Sequence, residues 1–412
     1  MTDEITDEIT EVVDEKTAEE ILESVKLNDT PVPKKEEKNK VVSTIVDKGA
    51  DKISEDTDKT KLLYAEFSSF LETKADITAD RGTKETISTG IDLVDAILGG
   101  GFAVGAMSII VGQPGSGKTM LAIKTLGQGQ LQYEANMLGA FLDSEEATTT
   151  LRLANLGVRY PKIKPYTDIT VEKVFKFIEG LSTFKIEKKI VDIPSIVIWD
   201  SIANTLSLKE RETDDPNTVI GYKARLLSIL IPKYVAKCAQ NNICFLAVNQ
   251  LRDVINIGQF APPKDLKFMS ATKDMPGGNI LKFNAFQLVE MKVKSAIAPG
   301  ATNDSAKYGF EGVICKLKCV KNKLFPPNIE IEVVGSFTSG FSNFWTNYNF
   351  LKETKRLNSG AWNFLVSLPE KKFRTKDAPE LYKTDAEFKQ AYDDAVKEAI
   401  QTEIIDKYNP EV

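Results

Sequence analysis

The residues best equipped for chemistry form one run: Gly112, Gln113, Pro114, Gly115, Ser116, Gly117, Lys118 and Thr119. It fits the pattern G-x-x-x-x-G-K-[ST]. Glycines let the backbone wrap so that successive N–H groups face phosphate oxygens, and a following helix adds partial positive charge. Lys118 would neutralise β- and γ-phosphates, and the Thr119 hydroxyl would ligate magnesium. The apolar stretch MSIIVG (107–112) precedes the run and a helical stretch follows it. That context argues against a chance match in a Gly-rich turn.

Three further segments end apolar runs with polar groups. Asp200 closes SIVIWD (195–200), where a carboxylate at the end of a buried strand faces the ligand crevice of an open α/β sheet. It suits a second magnesium-binding group; a helix N-cap is the plainer alternative. MLGAFLDSEEA ends a strand with Asp143, Glu145 and Glu146. The chain has no histidine, so a Ser-His-Asp triad and a His-ligated zinc site are excluded. A carboxylate must therefore orient and deprotonate an attacking water, and spacing does not choose between the two glutamates. Gln250 follows ICFLAVN (243–249), as a γ-phosphate contact or as a plain strand-end polar residue.

The elements that must hold these groups alternate strand with helix from Ile87 onward. Buried parallel strands are expected at 107–112, 137–143, 195–200 and 243–249, and helices at 117–133, 171–183 and 218–241. That is a doubly wound α/β domain with a mostly parallel sheet. Further strands are expected at 288–294, 312–322 and 328–335. Past about 336, Trp and Phe density and a charged helix (385–402) suggest a small C-terminal α/β unit. Residues 1–60 carry no aromatic residue, with 18 acids and 9 lysines. Such a segment cannot bury enough surface to offset ordering, so a disordered tail is expected, with a short helix near Ala18–Lys26. Leu63, Phe67, Phe70 and Leu71 predict an amphipathic helix over about 61–75, docked on its own core or on a neighbouring subunit.

The net charge of −6 is poor for a nucleic-acid binder, but it is unevenly spread. Residues 61–412 hold 41 acids and 44 bases, so the body is mildly basic and the tail carries the negative charge. Cys238, Cys244, Cys315 and Cys319 show no C-x-x-C pairing and read as reduced core residues. No run approaches the roughly 18 apolar residues of a membrane span, and the acidic start is no secretory signal, so a cytoplasmic protein with no membrane partner is expected.

Over roughly 61–412 the chain resembles the RecA/Rad51 recombinase family. ISTGIDLVDAILGGG (87–101) is similar to the family's opening segment. GQPGSGKT, FLDSEEA, VIWDSI and FLAVNQLR follow in the family's order, and PGGNILKF (276–283) and CVKNKL (319–324) are absent from generic P-loop enzymes. SGAWNF (359–364) is also similar, and 373–400 looks like the phage-type branch. The resemblance implies a RecA-like ATPase core (84–335), an N-terminal oligomerisation helix and linker (61–83) and a small C-terminal domain (336–412). It implies ATP and Mg2+ as cofactors. Glu145 becomes the group that activates water, and Gln250 the γ-phosphate sensor. Lys321 and Lys323, two apart in a strand, would point the same way and reach the ATP of an adjacent subunit. Lys282 and Phe283 would lie at that interface. A solvated Lys-rich edge is the alternative.

The implied partners are single-stranded DNA, then homologous duplex DNA, other copies of the chain in a helical filament, and ssDNA-binding or loader proteins. DNA would lie on two loops, about 207–222 and 251–276, ending at Gly277, Gly278 and Asn279. Arg225 and Arg252, two of eight arginines, match positions that contact the DNA backbone. Ile220 and Ile255 match positions that wedge between base triplets. The chain departs from the family in several places. ERETDD (210–215) is acidic within the first loop. The second loop is long and contains Pro262 and Pro263. Arg152 stands where a tyrosine usually meets the adenine, although a guanidinium also stacks on a base. The acidic segment is N-terminal and would compete with DNA for the basic groove. Two rival functions remain: a ring helicase of the same superfold, and a mediator that binds ATP but hydrolyses it poorly.

Overall fold

A computed structural model describes residues 84–133, 137–159, 163, 165–253, 273–298 and 308–408. The expected tail, the 61–75 helix and the middle of the second loop, including Ile255, lie outside the described residues. Nine strands form the main sheet among those described: β1 (Ala106–Gly112), β2 (Leu138–Asp143), β3 (Pro165–Tyr166), β4 (Ser195–Asp200), β5 (Ile243–Gln250), β6 (Gln287–Ile297), β7 (Gly312–Lys321), β8 (Glu330–Ser336) and β9 (Gly340–Phe341). Their order is β9-β8-β7-β6-β1-β5-β4-β2-β3. From β6 to β3 every neighbouring pair is parallel, and β6 to β9 pair antiparallel.

β1 and β4 are buried along their whole length, and β5 is buried except at Gln250. Such strands are covered on both faces and read as continuous apolar runs. Their side chains alternate between two cores. Ile110, Ile198 and Leu246 face one core with Leu121 and Met291, whereas Ile109, Trp199 and Phe245 face the other with Leu227. Trp199 stacks on Phe245 at 6.1 Å.

The longer α-helices among the described residues are α1 (Asp92–Leu98), α2 (Lys118–Gln132), α3 (Thr150–Asn155), α4 (Val171–Glu187), α5 (Leu208–Glu212), α6 (Tyr222–Gln240), α7 (Asn279–Asn284), α8 (Asn343–Glu353), α9 (Ala378–Thr384) and α10 (Ala386–Ile400). The Thr170 hydroxyl caps α4 by accepting the Lys173 N–H. That helix runs one turn past the expected 183, because buried Lys185 continues the inward face where the apolar pattern stops. The first loop is more regular than expected: α5 and a 3-10 turn (Pro216–Val219) fill it, and α6 starts only at Tyr222, after Gly221 at φ +70°. Beyond β9, α8, α9, α10 and the three-stranded sheet Leu357–Asn358, Asn363–Leu365 and Leu368–Phe373 enclose a third core. There Phe344 stacks on Tyr392 at 5.2 Å. Among the described residues no helix is long and apolar enough to cross a membrane.

Candidate functional site

β1 ends at Gly112 and α2 begins at Lys118, so the glycine-rich run is a strand-to-helix loop at the C-terminal end of the central strand. Gly115 and Gly117 sit at φ +75° and +82°, backbone that side chains rarely adopt. A Cβ on Gly112 would stand 2.4 Å from the Met291 carbonyl oxygen, and one on Gly117 would stand 2.5 Å from Cζ of Phe341. Gly115 has open space above it. Gln113, Pro114 and Gly115 are exposed at the tip. The Gln113 carbonyl accepts from Ser116 Oγ and from Lys118 Nζ, each at 2.8 Å. Burial lowers the Lys118 pKa, and the carboxylates of Asp200 and Glu145 oppose that shift.

Adjacent strands bring the acids together. Asp143 of β2 is the register partner of Asp200 of β4. Thr119 Oγ1 donates to Asp200 Oδ2 at 2.5 Å. Burial pushes the Asp200 carboxyl up to about 7; Glu145 and Asp143 add to the rise, while the Thr119 hydrogen bond and Lys118 oppose it. The Asp200–Ser201 peptide is cis. Asp143 shapes the loop beyond β2, accepting the N–H groups of Glu145 at 3.0 Å and Thr148 at 2.8 Å. Glu145 is exposed, and its Oε1 accepts from Ser201 Oγ at 3.2 Å and Asn204 Nδ2 at 2.6 Å. Glu146 turns away at φ +54° and accepts the Asp168 N–H at 3.3 Å.

Gln250 of β5 is the register partner of Gly112, and the next N–H, of Leu251, donates to the Gly112 carbonyl at 3.2 Å. Arg152 lies in α3, where its guanidinium donates to the Phe337 carbonyl in the turn between β8 and β9. Lys321 is the last residue of β7 and Lys323 lies just beyond the strand, so strand periodicity alone does not relate them. Lys321 Nζ instead donates to the carbonyls of Lys282 and Phe283 at the end of α7, both at 2.8 Å. Burial lowers its pKa, and the charge of Lys323 adds to the effect. Lys323 Nζ stands 5.6 Å over the Phe286 ring, and Phe283 is 67% exposed.

Several residues expected to face DNA gather at the N-terminal end of α6: Ile220, Arg225, Gly277 and Gly278. Ile220 is 72% exposed just before it, and Arg225 is exposed in its first turn. A Cβ on Gly277 would stand 3.1 Å from Cδ1 of Leu227, and one on Gly278 would stand 3.7 Å from Cβ of Ala224. The Gly277–Gly278 turn, at φ +103° and +82°, therefore abuts α6, and Asn279 starts α7. Arg252 belongs to a short strand, Arg252–Asp253, paired with Lys273–Asp274.

The acidic run of the first loop is partly occupied locally. Glu210 and Ser207 form a reciprocal capping box on α5, and Asp215 caps the 3-10 turn by accepting the Asn217 N–H at 2.9 Å. Arg211 donates to Asp168 Oδ1 at 2.5 Å. Sequence reasoning passed over Asn204 and Asn249. Asn249 is fully buried, donates to the Pro276 carbonyl at 2.8 Å and accepts the Gln250 N–H at 2.9 Å.

Residues 75–342 match the family model described as RecA N-terminal domain. The chain is similar to Protein RecA of Crocosphaera subtropica, 29% identical over 285 residues that cover 69% of this chain and 74% of that protein. It is also similar to Protein RecA of Desulforapulum autotrophicum, 31% identical over 257 residues that cover 62% of this chain and 66% of that one. The family match runs from ahead of the first described residue to the end of β9, well over half the sequence, and on that extent the chain belongs to the RecA/Rad51 family of recombinases.

Proposed function

We propose that this chain is a DNA-dependent ATPase that forms a helical filament on single-stranded DNA and exchanges strands with a homologous duplex. The observation that carries the reading is the 2.5 Å contact between Thr119 and Asp200 beside the glycine loop. A hydroxyl and a carboxylate oxygen at one point are hard donors of the kind Mg2+ takes. The exposed loop tip, with open space above Gly115, fits a triphosphate. Magnesium, when bound, would draw charge from the terminal phosphates. Lys118 would pair with those phosphates, and Glu145 would take the proton of the attacking water. Gln250 would sense the γ-phosphate and pass its loss to the second loop. Arg152 would lie against the base.

Lys321, Lys323, Lys282 and Phe283 would complete the site of an adjacent subunit, so that ATP binding strengthens the filament by mass action. Family membership, the exposure of Phe283 and the Lys321 contacts to α7 support that role. Ile220, Arg225, Arg252, Ile255, Gly277, Gly278 and Asn279 would meet DNA. Residues 61–83 would dock on a neighbour, with 84–335 as the core and 336–412 as a C-terminal domain. The protein would work in a cytoplasm, a host's if the chain is of the phage-type branch.

Electron microscopy with single-stranded DNA and a slowly hydrolysed ATP analogue tests the reading. Helical filaments are expected, and closed rings would favour a helicase. ATP turnover should rise with single-stranded DNA; an unresponsive protein would fit a mediator. Replacing both Lys321 and Lys323 with Ala should abolish ATP-stabilised filaments, and normal filaments in that variant would sink the contact between subunits.

A further inference from the structure

We propose that Asn204 is a positioning residue that holds Glu145 in a resting orientation until DNA displaces the first loop. The inference rests on the reading of Glu145 as the group that activates water. It adds a physical route by which DNA controls that group.

The route starts at the carboxylate. Oε1 of Glu145 has two lone pairs, and both face donors of the β4–α5 connection, Asn204 Nδ2 at 2.6 Å and Ser201 Oγ at 3.2 Å. An oxygen so engaged is aimed at the protein rather than at a water. The Asn204 amide has this carboxylate as its partner among the described hydrogen bonds. Both residues are exposed, so the bond competes with water and is of a strength that a binding event can overcome.

The connection carrying Asn204 is attached to both ends of the first loop. On one side, Lys223 in the first turn of α6 donates to the Ala203 carbonyl at 3.2 Å. On the other, the connection runs directly into Ser207, which caps α5, while the Leu206 carbonyl is held by the Val171 N–H of α4 at 3.0 Å. Ile220 and Arg225 flank Lys223 on the surface proposed to meet DNA. A strand that pulls on the start of α6 therefore pulls on Ala203 and moves the neighbouring amide away from Glu145. The rest of the connection is fixed: Thr205 Oγ1 donates to the Ser201 carbonyl at 2.7 Å and accepts from Trp199 Nε1 at 2.7 Å. Asn204 is thus the movable member of a stretch otherwise held at Ile202, Thr205 and Leu206.

The test compares Asn204→Ala and Asn204→Asp with the unaltered full-length protein. Losing one hydrogen bond to a charged group should raise DNA-free ATP turnover about three- to tenfold while turnover at saturating DNA stays the same. Asn204→Asp keeps the size of the side chain but sets a second carboxylate against Glu145, so its DNA-free turnover should rise at least as far. The lost contact belongs to the resting state that DNA binding must also disrupt, so affinity for a labelled oligo-dT, measured with a non-hydrolysed ATP analogue, should tighten in both variants. DNA-free turnover and oligo-dT affinity unchanged in both variants would overturn the proposal. So would a fall in DNA-saturated turnover, which would mean that Asn204 helps catalysis directly. If the unaltered protein itself gives no DNA-stimulated turnover, the recombinase reading fails and the inference falls with it.

Discussion

The buried amide of Asn249 bridges two segments proposed to have different tasks: it donates to the Pro276 carbonyl at 2.8 Å, and its Oδ1 takes the N–H of Gln250 at 2.9 Å. One side chain thereby ties the strand end beside the glycine loop to the Gly277–Gly278 turn. Asn249→Ala would leave both partners without this contact, at a cost of about 1–3 kcal/mol for buried groups. Urea unfolding should show that loss. Affinity for single-stranded DNA should become less dependent on ATP, because the turn no longer follows Gln250. An unchanged ATP dependence in a destabilised variant would reduce Asn249 to a purely structural residue.

Two glycines of the same loop should respond differently to one added methyl group. Gly117→Ala places a Cβ 2.5 Å from Cζ of Phe341 at φ +82°, so both a ring and a backbone must shift. Gly115→Ala meets nothing within 4 Å and suffers only the backbone penalty at φ +75°, about 1–2 kcal/mol. Titration with a fluorescent ATP analogue should therefore show a larger loss of affinity for the Gly117 variant. Equal losses would mean that Phe341 gives way freely.

The central strands were legible because burial on both faces leaves an uninterrupted apolar run, and each run ends on a residue proposed to serve the nucleotide site: Gly112, Asp200 and Gln250. What escaped were polar groups whose partners are distant in sequence. Lys185 reads as a surface residue at the end of a helix. It is fully buried, with its ammonium on Ser195 Oγ at 3.0 Å and on the carbonyls of Ile193 at 2.6 Å and Asn241 at 2.5 Å. Helical periodicity puts position 185 on the inward face but says nothing of the acceptors that receive its charge. The Asn204 contact with Glu145 likewise spans 59 positions. The α5 helix did leave a local signal, Ser207 three residues ahead of Glu210, which the acidic character of the loop obscured. β7 stops at Lys321, so strand periodicity does not relate it to Lys323, yet the Lys323 charge still acts on Lys321.

The cysteines should be inert in the native protein. All four are buried, and burial pushes the Cys238, Cys315 and Cys319 thiols up to about 12 and raises Cys244 as well. The thiolate is the reactive species, so a thiol reagent at pH 8 should label none rapidly and all four after denaturation. Cys315 also donates through Sγ to the Ser116 carbonyl at 3.4 Å, inside the glycine loop. Labelling of Cys315 that nucleotide suppresses would show that the loop opens in solution.

Asp95 should give the fold a pH dependence opposite to that of an ordinary paired carboxylate. Burial raises its pKa from 3.8 to about 6, with a smaller push from Asp92, against hydrogen bonds from Ser88 and Thr89 that lower it. Those bonds are Ser88 Oγ at 2.5 Å, the Thr89 N–H at 2.8 Å and Thr89 Oγ1 at 2.7 Å. With the folded pKa above the unfolded one, the folded chain holds the proton more tightly between pH 4 and 6, so this group's contribution to stability falls as pH rises through that window. The fall amounts to about 3 kcal/mol, complete a little above pH 6. Asn at this position keeps an acceptor for Thr89 and does not ionise. Urea unfolding of the unaltered protein and of Asp95→Asn at pH 4.5 and pH 7 should therefore show the variant gaining on the unaltered protein as pH rises. A difference independent of pH would mean that the three hydrogen bonds hold the ionised carboxylate as well as water does.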